Sequence, residues 1–333
     1  NSLDQLLDFV REGKTSEARE NRQREQRFQA AKADQQRLLR EAEAERERQE
    51  QISTRLENTF EENELRIADK QKQLKDRLGT LAGIPVVSGV VNALNKNATF
   101  RGILEDGFGV HKDAKLPEFH SKPLRKRVSR DDGATAEAAG PTTGKVALFA
   151  TCYGNRNDPV SGEDLVAVFR HNDIAVTMAD KEKCCGMPKL ELGDLESVAA
   201  SKDINIPMLA KLVDEGWDIV APVPSCVLMF KQELPLMFPD DPDVAKVRDA
   251  MYDPFEYMTL RNKYGKLKTD FAKGLGKVSY HAACHQRVQR IGPKTKEMLE
   301  LIPGTEVEII ERCSGHDGTY AVKKESHELS MKI

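Results

Sequence analysis

Six cysteines are the residues of this chain best able to do chemistry, and every one of them follows an apolar run. Residues 145–152 read KVALFATC and residues 277–284 read KVSYHAAC, two similar β-type runs 132 positions apart, each delivering a cysteine at its end. Cys184 and Cys185 come after the run 174–178, Cys226 after 219–223 and Cys313 after 307–310. In open α/β sheets ligands bind in the crevice beyond the carboxyl ends of the strands, so these thiols stand where a cofactor would sit. The pattern is also duplicated: Cys152 is followed after 31 residues by Cys184-Cys185-Gly186, and Cys284 after 28 by Cys313-Ser314-Gly315. Burial as small apolar residues accounts for single cysteines, but not for six at strand ends. Disulfides are a further alternative, although in an intracellular α/β protein such a set more often marks a metal site.

Thiolate sets select zinc, Cu(I) or iron–sulfur clusters over harder ions. Two adjacent residues give one tetrahedral zinc two poor ligands, because their side chains diverge, whereas a cluster offers several irons a few ångströms apart. The Cys184-Cys185 pair therefore favours iron–sulfur, with zinc as the alternative. Gly186, lacking a Cβ, would let the backbone approach such a group closely. His281, His285 and His316 flank the second cysteine set, where imidazole could ligate, hydrogen-bond to sulfur or simply pack at a strand end.

These thiols need a scaffold, and the chain from residue 145 supplies one. Apolar β-type runs at 146–150, 174–178, 219–223, 278–281 and 307–310 alternate with helical stretches at 162–171, 207–215, 243–263 and 293–301, which predicts an α/β fold with a mainly parallel sheet. Pro224 and Pro293 suit first turns of helices. The turn at Pro224 would aim Cys226 at a helix N-terminus, whose dipole favours an anionic sulfur. Tyr153 and Trp217 read as rim or core aromatics. There is no Walker loop, no G-x-G-x-x-G after a strand and no G-x-S-x-G, so nucleotide and serine-hydrolase chemistry has no motif behind it.

The pattern Cys152, Cys184-Cys185-Gly186-Met187-Pro188, Pro224-Ser225-Cys226, His281-Ala-Ala-Cys284-His285 and Cys313-Ser314-Gly315-His316-Asp317-Gly318 resembles the duplicated cysteine-rich CCG domain found in the B subunit of heterodisulfide reductase. The resemblance extends over residues 81–333 and is greatest to iron–sulfur oxidoreductases similar to the C subunit of anaerobic glycerol-3-phosphate dehydrogenase. It implies an electron-transfer protein holding an iron–sulfur cluster of [4Fe-4S] type. Electrons would pass between a partner flavoprotein or other redox subunit and a quinone or thiol acceptor. Carried over residue by residue, Cys152, Cys184, Cys185 and Cys226 would ligate a first cluster, and Cys284 and Cys313 would belong to a second. Val223 and Ser314 stand where the family pattern has further cysteines, which leaves the second set incomplete. The family reading places the chain in the cytoplasm, peripheral to the inner membrane through its partners.

Upstream, residues 14–78 contain neither Gly nor Pro and are rich in Ala, Glu, Gln and Arg. As one helix they would form a charged rod of roughly 97 Å. Phe60, Ile67, Leu74 and Leu81 recur every seven residues, while Asn63, Lys70 and Arg77 interrupt the companion positions, so the coiled-coil seam is sparse. Residues 32–36 offer a place for a turn only in that they lack large apolar side chains. LDQLLDFVREGKTSEARENRQREQRF and the sequence that follows resemble the N-terminal coiled-coil region of long MotA/TolQ/ExbB proton-channel proteins, over residues 3–81. That family implies a periplasmic, TonB-linked setting, so the chain reads as two families fused near residues 78–81. The resulting layout is a helical rod at 1–81, a connector with a flexible linker at 82–144, a first CCG repeat at 145–262 and a truncated second repeat at 263–333.

A formal net charge of -3, with 51 basic residues interleaved among 54 acidic ones, gives no basic stripe for nucleic acid. The longest apolar stretch, residues 84–94, is too short to span a bilayer as a helix. Because the sequence opens on Asn1 and shows no signal peptide, it reads as a fragment or a mature form.

Overall fold

The computed structural model describes residues 2–81, 85–129, 136–180, 182–316 and 319–333. The side chains of 2–7, 9–11, 33, 36, 38, 60–81 and 85–86 are also outside the described set. The chain divides into two compact units, 1–68 and 69–333.

One helix, α1 (Ser2–Leu81), runs through the first unit and into the second without a turn at 32–36. The absence of Gly and Pro between residues 14 and 78 explains the continuity, because nothing breaks the i to i−4 ladder. Every described side chain from 12 to 59 is exposed, and the surface carries i,i+4 pairs such as Arg37–Glu41 at 3.1 Å and Arg46–Glu50 at 3.5 Å. The structure thus shows the helix but, among the described residues, no packed coiled coil. The heptad residues Phe60, Ile67, Leu74 and Leu81 have side chains outside the described set, as do residues 78–81 at the expected fusion point.

Two helices follow, α2 (Pro85–Lys96) and α3 (Ala98–Phe108), where the sequence reads as connector. Asn97 separates them: its side chain accepts the Phe100 N–H at 3.0 Å, and Gly109 ends α3 in the left-handed conformation. The α/β unit then begins with β1 (Lys145–Leu148), α4 (Cys152–Arg156), α5 (Pro159–His171), β2 (Ala175–Met178), α6 (Met187–Leu190), α7 (Leu195–Asp214), β3 (Asp218–Val220), α8 (Pro224–Leu228), α9 (Leu234–Met237), α10 (Pro242–Ala250), β4 (Met251–Tyr252) and α11 (Pro254–Lys263). It closes with β5 (Gly276–His281), α12 (Cys284–Val288), α13 (Gly292–Leu299), β6 (Thr305–Ile310) and α14 (His327–Ser330).

The strands form two parallel sheets, one of four strands in the order β2-β1-β3-β4 and one of two, β5-β6. The central strands are apolar on both faces, as a covered parallel sheet requires. Ala147, Phe149, Ile219 and Ala221 face a core built with α7 to α10, and Val146, Leu148, Val176 and Val220 face one built with α5 and α11. The expectation of one helix across 243–263 is corrected. Met251 and Tyr252 leave the helix to pair with Ile219 and Val220, and Asp253-Pro254 restarts it with a capping box from Asp253 and Glu256.

The stretch read as a flexible linker is anchored to the domain at several of its described residues. Leu124 is fully buried against Gly162, on which a Cβ would lie 2.3 Å from a Leu124 methyl. Buried Thr142 pairs with Ala139, and the buried Arg261 guanidinium donates to the Thr142 hydroxyl at 3.2 Å and the Glu137 carbonyl at 3.1 Å.

Candidate functional site

Strands β1, β2 and β3 are followed by cysteines at the carboxyl edge of the four-stranded sheet, and β4 by none. After β1, Thr151 turns the chain with φ 64° and ψ 160°, a strained conformation for a β-branched residue, and its hydroxyl accepts the Gly154 N–H at 3.0 Å to start α4 at Cys152. After β2, the loop carrying Cys184 and Cys185 is clamped by Asn205 of α7, which is fully buried. The Asn205 carbonyl oxygen accepts the Lys183 N–H at 2.8 Å, and its amide donates to the Cys184 carbonyl at 3.1 Å. Gly186 follows at φ 102°, a conformation that favours glycine. A Cβ there would meet its protein neighbours no closer than 3.5 Å, so backbone conformation, not crowding by those neighbours, sets the requirement. After β3, Pro224 opens α8 and places Cys226 in its first turn, buried.

The four thiols of this repeat form one chain of contacts: Cys152 with Cys184, Cys184 with Cys185, and Cys185 with Cys226. The hydrogen bond with Cys152 pulls the Cys184 thiol pKa down, but the bond with Cys185 and burial outweigh it, and the net shift is upward. At Cys185 the bond with Cys184 lowers the pKa, while the bond with Cys226 and complete burial drive it well above the ordinary thiol range. The Gly186 and Met187 N–H groups donate to the Cys184 and Cys185 sulfurs respectively, so both carry backbone donors able to steady negative charge. Among the described residues no three His, Cys, Asp or Glu side chains converge on one point in the manner of a single-ion site. The four thiols follow the ends of β1, β2 and β3 at the sheet edge.

Glu182 braces this edge. Its carboxylate lies 2.7 Å from the Arg125 guanidinium and accepts the Ala150 N–H at 3.1 Å, joining the segment before the domain to the end of β1. Burial raises its pKa to about 7 against the opposing pull of Arg125. Sequence reasoning passed over Glu182, Asn205 and Thr151. A buried Asn within the apolar face of α7 was the only available signal, and the other two depend on loop geometry.

The second set is arranged differently. Cys284 and Cys313 are both exposed and have separate partners: Arg287 Nη2 donates to the Cys284 sulfur at 3.3 Å, and the Gly315 N–H donates to the Cys313 sulfur at 3.4 Å. Arg287 also reaches the Arg312 carbonyl at 3.4 Å, and His281 Nε2 donates to that carbonyl at 2.9 Å. Ser314 and His316 are exposed, and Asp317 and Gly318 lie outside the described residues. The two sets meet where α12 packs against α8: His285 Nδ1 lies 2.8 Å from Ser225 Oγ, and Gln289 donates to the Pro224 carbonyl at 3.0 Å. Of the flanking histidines, His281 and His285 are thus engaged in hydrogen bonds at strand and helix ends. Trp217 is core, under the Lys145 ammonium at 5.2 Å, and Tyr153 is half exposed.

The fold and this edge define an α/β protein that gathers cysteines from successive parallel strands. The CCG cysteine-rich domain matches residues 146–231 and 278–333, and the chain belongs to that family. It is 27% identical over 249 residues to the C subunit of anaerobic glycerol-3-phosphate dehydrogenase from Escherichia coli K12, covering 73% of this chain and 60% of that relative. It is 30% identical over 189 residues to lactate utilization protein A of Bacillus cytotoxicus, covering 54% and 75% respectively. The corresponding protein of Oceanobacillus iheyensis is 27% identical over 187 residues, covering 54% and 73%. The chain therefore spans about three fifths of the dehydrogenase component it matches. No solved structure shows a significant match. The likeness of residues 3–81 to proton-channel proteins gains no support from these comparisons. Among the described residues no helix is long and apolar enough to cross a membrane.

Proposed function

We propose that this chain is an iron–sulfur electron-transfer subunit in which Cys152, Cys184, Cys185 and Cys226 hold one cluster of [4Fe-4S] type. The observation that carries the reading is the unbroken chain of thiol contacts through these four residues. Burial and the neighbouring thiols raise the pKa values of Cys184 and Cys185, so these two sulfurs stay protonated on their own. A multiply charged iron centre supplies the positive charge that lets them ionise, which is why metal binding to such a set releases protons. Adjacent Cys184 and Cys185 suit separate irons better than one tetrahedral ion. When bound, the cluster would supply one-electron transfer.

The surrounding residues position the sulfurs. Asn205 fixes the Cys184 carbonyl, Thr151 sets the entry of Cys152, and Glu182 with Arg125 fixes the end of β1. Cys284 and Cys313 would hold at most an incomplete second group, because both thiols are exposed and Ser314 replaces a third. The names of the relatives point to a dehydrogenase or lactate-utilization setting. We accordingly place the chain beside a flavoprotein or other redox subunit, passing electrons to a quinone or thiol acceptor. A cytoplasmic site, peripheral to the inner membrane through those partners, goes with this reading. The repeat limits 145–262 and 263–333 are part of the same proposal.

Anaerobic purification followed by iron, acid-labile sulfide and zinc analysis tests it. Several irons with matching sulfide are expected. Stoichiometric zinc without sulfide would overturn the proposal in favour of a zinc-binding adaptor.

A further inference from the structure

The loop 109–116 wraps around Arg101 of α3, a residue only 5% exposed. Its guanidinium donates to three backbone carbonyls: Nε to Lys112 at 2.9 Å, and Nη2 to His111 and Ala114 at 2.6 Å each. Its remaining nitrogen, Nη1, is buried and has no hydrogen-bond partner. No carboxylate among the described residues lies within ion-pair distance of Arg101. A guanidinium cannot shed its proton, so a buried one needs negative charge or acceptors on every face. Three carbonyl dipoles meet that need in part, and Nη1 is left over.

Arg101 lines an open cleft of about 490 Å³ together with Lys96, Lys112, Asp113 and Lys115. Ala98, at the first turn of α3, also lines it, so the positive end of an 11-residue helix faces the same space. Lys96 is neutralised by Glu118 at 2.5 Å. Lys112 and Lys115 are exposed, with no ion pair among the described residues. Among the side chains lining the cleft, the cations Arg101, Lys112 and Lys115 exceed the anion Asp113 by two charges, and the Glu105 carboxylate, 3.5 Å from the Lys112 N–H behind the lining, reduces the local excess to one. A net positive cleft with a buried guanidinium favours an oxyanion such as phosphate.

We propose that this cleft is a binding site for a phosphate group, with Arg101 Nη1 as its buried donor and Lys112 and Lys115 as its rim. It lies outside the cysteine edge and stands whether or not a cluster is bound there. A free phosphate compound and the headgroup of an acidic lipid share the recognising chemistry.

Calorimetric titration of the full chain with inorganic phosphate, at constant ionic strength set with chloride, reads the site directly. Saturable one-to-one binding is expected, weakened at least tenfold in Lys112→Gln/Lys115→Gln and by a comparable factor in Arg101→Lys. The lysine pair is exposed, so it keeps the test decisive if the Arg101 variant fails to fold. Flotation with vesicles of phosphatidic acid in phosphatidylcholine, against phosphatidylcholine alone, separates the two sources. Retention on the acidic vesicles that free phosphate reverses assigns the lipid headgroup, and phosphate binding without retention assigns a soluble phosphate compound. Absence of saturable phosphate binding, or an affinity unchanged in the double variant, would overturn the site and leave Nη1 as a donor to water.

Discussion

His285 Nδ1 lies 2.8 Å from Ser225 Oγ, and through this contact the residue after Cys284 touches the residue before Cys226. The two repeats therefore share one seam, closed further by Gln289 on the Pro224 carbonyl. Ser225→Ala leaves His285 without this partner and should cost about 1 kcal/mol. Because the seam lies one residue from a proposed ligand, the same change should also increase the rate at which iron is lost to a chelator. Denaturant unfolding and chelator kinetics check the two effects. Faster iron loss without destabilisation would place the contact's role at Cys226 alone.

Cys184→Ser and Cys185→Ser should each abolish or strongly reduce iron content, since either change deprives an iron of its soft ligand. Cys313→Ser should retain most of it, because Cys313 is exposed and bonded only to its own turn. Iron per chain and visible absorbance after anaerobic reconstitution distinguish the two outcomes. Equal losses in all three variants would mean that both cysteine sets serve one group. Ser314→Cys alone should change little, because Cys284 and Cys313 have separate partners.

Much of this arrangement was legible in the sequence because a parallel strand buried on both faces writes a continuous apolar run, and the cysteines follow such runs directly. Strands β1, β2 and β3 are visible that way, whereas the more exposed β5 and β6 show only as short β-type runs before their cysteines. Strand β4, Met251–Tyr252, is two residues long, and nothing in a pair flanked by helix-forming residues distinguishes it from helix. The docked course of 123–129 and 136–144 was hidden for another reason. Its small polar composition reads as linker, yet its anchors are single residues, Leu124, Arg125 and Thr142, whose partners lie as many as 119 positions away and leave no local pattern. Likewise the support given by Asn205 to the Cys184 loop spans 21 positions. A periodicity of 2 or 3.6 cannot encode such contacts.

Leu124→Ala tests whether that segment belongs to the domain. The side chain is fully buried against Gly162 and beside Phe169 in the same core, so truncation leaves a cavity and should cost roughly 3 kcal/mol. Urea denaturation gives the value. A change within a few tenths of a kcal/mol would show that 123–129 detaches easily.

Asp218 sets a pH dependence whose sign follows from its surroundings. Burial raises its pKa above the ordinary aspartate value of 3.8, against the lowering effect of the Thr143 N–H and hydroxyl, the Tyr257 hydroxyl and the nearby Arg261 charge. With the folded pKa above the unfolded one, the folded state holds the extra proton between them. The contribution of Asp218 to stability is thus greatest below the unfolded pKa and declines as pH rises through the folded pKa. Asp218→Asn removes this decline while losing part of the acceptor set. The stability gap between the original chain and the variant should therefore shrink as pH rises through that window and then level off. Unfolding midpoints measured from acid to neutral pH check it, and a gap that widens with pH would reverse the assignment.

Removal of residues 1–68 should leave both iron content and the unfolding midpoint of the remainder unchanged. Within that stretch every described side chain from 12 to 59 is exposed, so truncation uncovers no buried apolar surface of the helix there. The helix is instead supported by backbone propensity and by solvent-facing pairs such as Arg24–Glu20 and Arg37–Glu41, which are individually weak and screened by salt. Two measurements follow. Helical circular dichroism of the full chain should fall modestly with added salt, while the iron-dependent absorbance of full and truncated chains should respond identically. A truncated chain that lost its iron, or melted several degrees lower, would show that the long helix contributes to the cysteine domain's stability, and the proposed electron-transfer function could then no longer be assigned to residues 69–333 alone.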